Sequence, residues 1–325
     1  MRTQLPSLTD AFSYNERLIL TLTVNPAIDR NVVTDRLVFE DRSYILSTSE
    51  SAGGRGINAS CVIRAFGGRT RAIVTCGGKT GARLEQLLDA CGFPVEVVRI
   101  RNRIRTNLTI TDRTGLTIKL NEFGPRLSRA ELQRLWDCVE RWLPEASWLM
   151  LCGSLPPGVP GSFYARLIEG ARARGVRTLL DTDGEALEAG VEARPTVVTP
   201  NQQEAERLLN KALLTRAHLL EAAERIRRMG AESVILSLGS RGALGAQEQR
   251  IVEAVPPSTD VVCPIGAGDA LAAAFVWAMT QREDFADALR WGVAAGTASA
   301  RLPGLKFATL EQTQEVYQQV EVRPA

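Results

Sequence analysis

Pro264-Ile265-Gly266-Ala267-Gly268-Asp269, followed by the apolar run Ala270-Leu271-Ala272-Ala273-Ala274-Phe275, puts one carboxylate directly behind two glycines and at the head of a stretch of helix formers. Glycine lets a backbone come close to a ligand, and small helix-forming residues suit a buried helix. A helix beginning at this point aims unpaired N–H groups at its own entrance, which makes an anion site. An acid at that entrance is placed to take a proton from a hydroxyl beside a phosphate. The same residues also describe an ordinary helix N-cap aspartate, and taken alone the two readings stand level.

Two other glycine-bearing stretches invite different chemistry. Residues 54–59 of Ala52-Gly53-Gly54-Arg55-Gly56-Ile57-Asn58-Ala59 satisfy G-x-G-x-x-A, the dinucleotide-binding fingerprint. The first strand of the chain, however, leads to Asn25-Pro26 and not to these glycines, and the second half shows no matching mononucleotide unit. Gly77-Gly78-Lys79-Thr80 resembles the end of a P-loop, but the glycine required five residues before Gly78 is Ile73, so Lys79 is read as a surface residue.

Composition narrows the field further. The net charge of +2, with acids interspersed among the bases, speaks against a nucleic-acid binder. The single histidine, His218, excludes a Ser-His pair or a multi-histidine metal site. The cysteines at 61, 76, 91, 138, 152 and 263 form no C-x-x-C pair, which points to buried free thiols in a reducing cytosol. No signal peptide or bilayer-length apolar run stands out, so a cytoplasmic protein without membrane contact is expected. Lysine occurs only at 79, 119, 211 and 306, so arginine supplies nearly all of the 39 basic residues.

The elements that must position the glycine-aspartate loop follow from periodicity. Residues 1–17 have no period and read as a tail. From Leu18 on, short β-like runs alternate with helical stretches. Leu18–Val24, Arg71–Cys76, Trp148–Cys152, Arg177–Leu180, Val197–Val198 and Ser233–Leu238 are the strands. Helices are expected over residues 57–66, 80–91, 161–174, 184–189 and 202–210, and two apolar helices from Asp269 to about Ser299. This order predicts an α/β fold of three layers, a mostly parallel sheet with helices on both faces, occupying residues 18–325. Residues 28–49 and 101–122 break the alternation. Thr106-Asn107-Leu108-Thr109-Ile110-Thr111 alternates polar with apolar, as does Thr117-Ile118-Lys119-Leu120, and these two stretches read as a small separate β-sheet, a lid.

Taken in order, several motifs resemble the ribokinase-like (PfkB) sugar kinases. They are Asn25-Pro26-Ala27-Ile28-Asp29, Gly53-Gly54-Arg55-Gly56-Ile57-Asn58, Gly153-Ser154-Leu155-Pro156-Pro157-Gly158, Asp181-Thr182-Asp183-Gly184, Pro200-Asn201-Gln202-Gln203-Glu204, Ser237-Leu238-Gly239-Ser240-Arg241-Gly242 and Gly266-Ala267-Gly268-Asp269. Gly292-Val293-Ala294-Ala295-Gly296 looks nearest to the minor 6-phosphofructokinase branch. The resemblance implies an ATP- and magnesium-dependent kinase acting on a hydroxymethyl group of a ketohexose phosphate. Fructose 6-phosphate is the first reading, with fructose 1-phosphate and tagatose 6-phosphate as alternatives. A silent sugar- or nucleotide-binding regulator is a third, against which the intact Gly-Ala-Gly-Asp speaks. It also implies a homodimer through the lid and raises a monovalent cation such as potassium as an activator.

Carried over by motif, Asp269 resembles the general base, and Gly266, Ala267 and Gly268 the backbone donors to the transferred phosphoryl group. Asp29, Gly54 and Asn58 resemble sugar ligands. Asn201, Ser237, Gly239 and Gly242 match nucleotide contacts, and Glu204 an acid that reaches magnesium through water. Asn201 and Glu204 also read as an ordinary helix start, and both roles can hold at once. Arg105 stands where hexose-phosphate members carry the sugar-phosphate arginine, with Arg42 and Arg55 as second candidates. The chain departs from the pattern at Ala270, at Thr199, where Lys often precedes Pro-Asn, at Cys263-Pro264, and at Thr109. These changes leave the base and anion loop intact and bear on nucleotide-phosphate affinity and cation activation.

Overall fold

Strand β1 (Leu18–Thr23) explains the layering by its side chains alone. Successive residues of a strand point to opposite faces. Leu18, Leu20 and Leu22 accordingly enter one hydrophobic cluster and Ile19 enters the other. The computed structural model describes residues 17–281 and 284–325. The expected tail, residues 1–17, lies outside them apart from Arg17.

The remaining strands are β2 (Ala27–Thr34), β3 (Ile45–Gly53), β4 (Thr70–Cys76), β5 (Val95–Arg99), β6 (Arg105–Asp112), β7 (Thr117–Asn121), β8 (Ala146–Cys152), β9 (Arg177–Asp181), β10 (Val197–Val198), β11 (Ser233–Ser237), β12 (Ala243–Gln247), β13 (Arg250–Val255) and β14 (Glu321–Pro324). The helices are α1 (Arg55–Ala65), α2 (Gly78–Asp89), α3 (Arg129–Trp142), α4 (Ser162–Arg172), α5 (Gly184–Glu192), α6 (Gln202–Leu209), α7 (Arg216–Met229), α8 (Ala267–Gln281), α9 (Phe285–Ala300) and α10 (Leu310–Tyr317). Ten strands form one sheet in the order β14-β13-β12-β11-β10-β9-β8-β1-β4-β5. Helices α2, α3, α4, α5 and α7 cover one face, and α1, α8, α9 and α10 the other.

The strand–helix alternation expected from the sequence is present, with additions. Helices α3 and α7 extend it, and α3 carries a full capping box between Ser128 and Glu131. One edge of the sheet is antiparallel, from β11 through β14. Ala243-Leu244-Gly245-Ala246-Gln247 has no β-branched residue, so this strand is set by its pairing and not by propensity.

The second sheet has the order β3-β2-β6-β7 and stands apart from the first. Its β2–β6 pairing is parallel, with Asp29 opposite Asn107 and Ala27 opposite Arg105. The chain first enters it from β1 across Asn25-Pro26 and leaves it from β3 into α1, then returns from β5 into β6 and leaves from β7 toward α3. Among the described residues, no helix is long and apolar enough to cross a membrane.

Candidate active site

The loop in front of α8 is shaped by Gly266, whose φ is +81°. A Cβ there would lie 2.8 Å from Leu305 and 3.0 Å from Phe307, so only glycine fits both the backbone and the space. The Gly266 carbonyl accepts the Ala270 N–H at 2.9 Å. The Ala267 N–H turns onto the Pro264 carbonyl at 3.3 Å, which makes it the weakest of the three expected donors. Gly268 and Asp269 follow in the first turn, where helical N–H groups have no preceding carbonyl. A Cβ added to Gly268 meets nothing within 4 Å, so open space lies against this turn.

Asp269 faces Asn58 of α1, which donates its Nδ2–H to Oδ2 at 2.6 Å. Burial, then the charge of Asp181, pushes the Asp269 carboxyl up to about 7; the Asn58 hydrogen bond and the Arg55 charge oppose the shift. A base with a pKa near neutrality is suited to proton transfer at physiological pH.

Helix α1 is held where Asn58 can do this. Its Ser60 hydroxyl is bonded to Thr21 of β1 at 2.8 Å and to Thr70 of β4 at 3.0 Å, all three buried. Gly54 caps the helix and accepts the Asn58 N–H at 2.9 Å. A Cβ on Gly53 would fall within 2.5 Å of the Asp29 carboxylate, so this glycine leaves room for that acid. These glycines join the second sheet to the main one, and no dinucleotide unit surrounds them.

Arg55, in the first turn of α1, ties this helix to β9 and α6. Its Nη1 donates to Asp181 at the end of β9 at 2.8 Å, and its Nη2 to Glu204 of α6 at 3.1 Å. Asn201 and Glu204 form the capping box of α6: the Glu204 N–H bonds Asn201 Oδ1 and the Asn201 N–H bonds Glu204 Oε2, both at 2.9 Å. Burial raises the Glu204 carboxyl while Arg55 opposes it. Both carboxylate oxygens of Glu204 are therefore engaged within the protein. Among the described residues there is no group of three or more His, Cys, Asp or Glu able to cage a metal ion.

On the second sheet, Asn107 donates to Asp29 Oδ1 at 2.8 Å, and burial raises the Asp29 carboxyl against this bond and the Arg105 charge. Arg105 shares the face of Asp29 and Asn107, and its Nε is buried without a hydrogen-bond partner. Arg42 stands apart, exposed in the connection between β2 and β3, and neither it nor Asp29, Asn58 or Arg105 lines the cavity described below. Asn107, through its bond to Asp29, and Asp181, on the cavity wall, join these residues without having been candidates from the sequence. Their signals are the polar–apolar alternation of β6 and an acid at a strand's C-terminal end.

A cavity of about 930 Å³ opens along the ends of these elements. Asp269, Ala267 and Gly268 form one side, and Asn201, Glu204, Ser237, Gly239 and Gly242 another. Pro256, Val261, Leu271, Val293 and Ala300 give it an apolar end. It lies outside the carboxyl ends of the parallel strands, where open α/β sheets bind ligands.

Comparison with known proteins agrees with this geometry. Residues 22–312 match the model of the pfkB family carbohydrate kinases. The ATP-dependent 6-phosphofructokinase isozyme 2 of Escherichia coli (strain K12) is 32% identical over 302 residues, covering 92% of this chain and 97% of that one. The 1-phosphofructokinase of Vibrio cholerae is 26% identical over 304 residues, covering 94% and 96%. A solved structure of phosphofructokinase-2 from Escherichia coli in complex with potassium superposes with a TM-score of 0.87 at 31% identity, covering 93% of this chain and 98% of that one. A ribokinase-like sheet, a glycine loop with its acid at a helix mouth and a family match spanning nearly the whole chain together place this protein in the PfkB family of carbohydrate kinases, ATP-dependent phosphotransferases.

Proposed function

We propose that the protein transfers the γ-phosphoryl group of ATP to the 1-hydroxyl of fructose 6-phosphate. The observation that carries this reading is Asp269: a carboxylate at a helix mouth, pushed up to about 7 by burial and held by Asn58. The sugar hydroxyl oxygen attacks the γ-phosphorus while its proton passes to Asp269; the bond from that phosphorus to the β,γ-bridging oxygen breaks, and ADP leaves. First-turn N–H groups at Gly268 and Asp269 face the charge that grows on the group in transit. The apolar end of the cavity suits a purine, with Ser237, Gly239 and Gly242 beside it.

Asp29 and Asn107 supply a polar pair for the sugar hydroxyls, and the unpartnered Nε of Arg105 is a donor ready for the 6-phosphate. Magnesium would arrive with the nucleotide. Glu204 has both carboxylate oxygens taken by Asn201 and Arg55, so it suits contact through water rather than direct coordination. Nothing in this reading requires the potassium bound by the structural neighbour. The second sheet acts as a lid that excludes water from the reaction.

A coupled assay on fructose 6-phosphate, fructose 1-phosphate, tagatose 6-phosphate and free fructose tests the reading. The highest kcat/KM is expected for fructose 6-phosphate and the lowest for free fructose, which lacks the remote phosphate whose binding positions the reacting hydroxyl. A panel led by fructose 1-phosphate or tagatose 6-phosphate moves the enzyme to that substrate. One led by free fructose removes the phosphate clamp.

A further inference from the structure

The cavity that is to take a polyanion is lined by three carboxylates, Asp181, Glu204 and Asp269, and among the described residues by a single cation, Arg55. An arginine that served only as a counter-ion would be expected to turn its whole fork onto its acids. Arg55 instead donates one N–H to Asp181 and one to Glu204, with Asp183 3.9 Å from the same Nη2, while a third of its side chain remains exposed. Its guanidinium also lies within electrostatic range of both Asp269 and Arg105. The two acids fix the plane of a group that has five N–H donors, so the remaining donors are pre-positioned at little further entropic cost.

We propose that Arg55 binds the phosphoryl group in transit, its contact strengthening as that group leaves ADP and approaches the sugar oxygen. Asp181 and Glu204 then act as positioning residues for Arg55. The proposal deepens the kinase reading above and rests on it. Chemically, a planar cation facing the equatorial oxygens of a loose phosphoryl transition state contributes where first-turn N–H groups alone would carry the charge.

The test compares Arg55→Ala and Arg55→Lys with the wild-type enzyme on whichever sugar phosphate the wild type turns over best. A failure of the sugar reading therefore shows in the wild type, before any variant is compared. For Arg55→Ala, kcat should fall about 10²- to 10³-fold, the usual loss of one pre-positioned donor. KM for ATP should move less than about threefold, because the interaction forms mainly in the transition state.

Binding supplies the second readout. Calorimetric affinity for ADP alone should be nearly unchanged in Arg55→Ala. Affinity for ADP with aluminium fluoride and the sugar phosphate, a mimic of the group in transit, should drop about 100-fold, in line with the loss in kcat. Arg55→Lys keeps a counter-charge for Asp181 and Glu204 but loses the fork, and should fall between the two. If Arg55→Ala does not fold, the lysine variant carries the same comparison. Equal losses for ADP and for the fluoroaluminate complex, or a kcat within about tenfold of wild type, overturn the proposal and leave Arg55 as a counter-ion.

Discussion

Asp269 joins two consequences of one pKa. As the base it must be ionised, so kcat/KM should rise with pH and level off above the free-enzyme value of about 7. Asp269→Asn should cut turnover ~10²- to 10⁴-fold. The same burial acts on stability with a definite sign. The carboxyl is raised in the folded state, so between its unfolded value of 3.8 and about 7 the native protein holds a proton that the unfolded chain has released. Stability from this group is therefore undiminished below pH 4 and declines as pH rises to about 7. Asparagine cannot ionise, so the Tm advantage of Asp269→Asn over wild type should be small at pH 4 and larger at pH 8, read by thermal unfolding of the ligand-free protein. A Tm gap that shrinks as pH rises contradicts the buried-carboxylate account. Arg105 is the second case. Arg105→Ala should raise KM for the sugar phosphate by roughly 10- to 150-fold, the equivalent of one charged hydrogen bond, with KM for ATP little moved. An unchanged sugar KM would return Arg105 to the solvated surface. The position of Asp269 was legible in the sequence because glycine, acid and helix formers are contiguous. Arg55 with Asp181 and Glu204 was not: the partners stand 126 and 149 residues away, and no local period links them. Arg105 ranks above Arg42 by its motif position, and strand register puts it on the face of Asn107 and Asp29.

Elements explain why so much of the cavity could be located before its geometry was seen. Asn201, Ser237 and Asp181 each follow or end a short β-like run, and in a parallel sheet such ends gather on one edge. What the runs do not show is how closely the helices behind them approach. Helix α9 reaches α8 because Gly292 and Gly296 have no side chain where a Cβ would come within 2.9 Å of the Leu271 and Ala267 carbonyls. That packing holds the first turn of α8, and so the glycine loop, in place. Gly268 tests whether the open space beside this turn is functional. Alanine there meets no neighbour and favours the helix by about 0.5–1 kcal/mol, so Gly268→Ala should raise Tm slightly. Its methyl group would nonetheless enter the anion site, and kcat should fall by an order of magnitude or more, about the value of a displaced oxyanion contact. A variant that is both more stable and fully active would place the phosphoryl path elsewhere.

At the scale of the whole molecule, the second sheet has two faces with different work. Asp29, Asn107 and Arg105 share one face, and the alternation of a strand puts Leu108, Ile110, Ile118 and Leu120 on the other. Leu108 pairs with Leu120 and Ile110 with Ile118, giving a continuous apolar row of which Leu120 is 55% exposed. Ile45 on β3 and Phe39 in the connection before it are also exposed. Exposed apolar surface of this kind is a feature that protein contacts commonly cover, and a second copy of the chain is the simplest cover for a two-faced sheet. The resemblance leads to the same expectation, a homodimer joined through the lids. Sedimentation at micromolar concentration should therefore find a dimer for the wild type. Leu120→Glu places a charge in the most exposed part of the row, on the edge strand β7, and should shift the population to monomer while the main sheet keeps its Tm. Leu108 and Asn107 are neighbours on β6, so a change on the apolar face is expected to reach the polar one. Monomerisation should then raise KM for the sugar phosphate more than KM for ATP, whose cavity belongs to the main sheet. A wild type that sediments as a monomer, or a Leu120→Glu variant that remains dimeric, rules the lid face out as the contact.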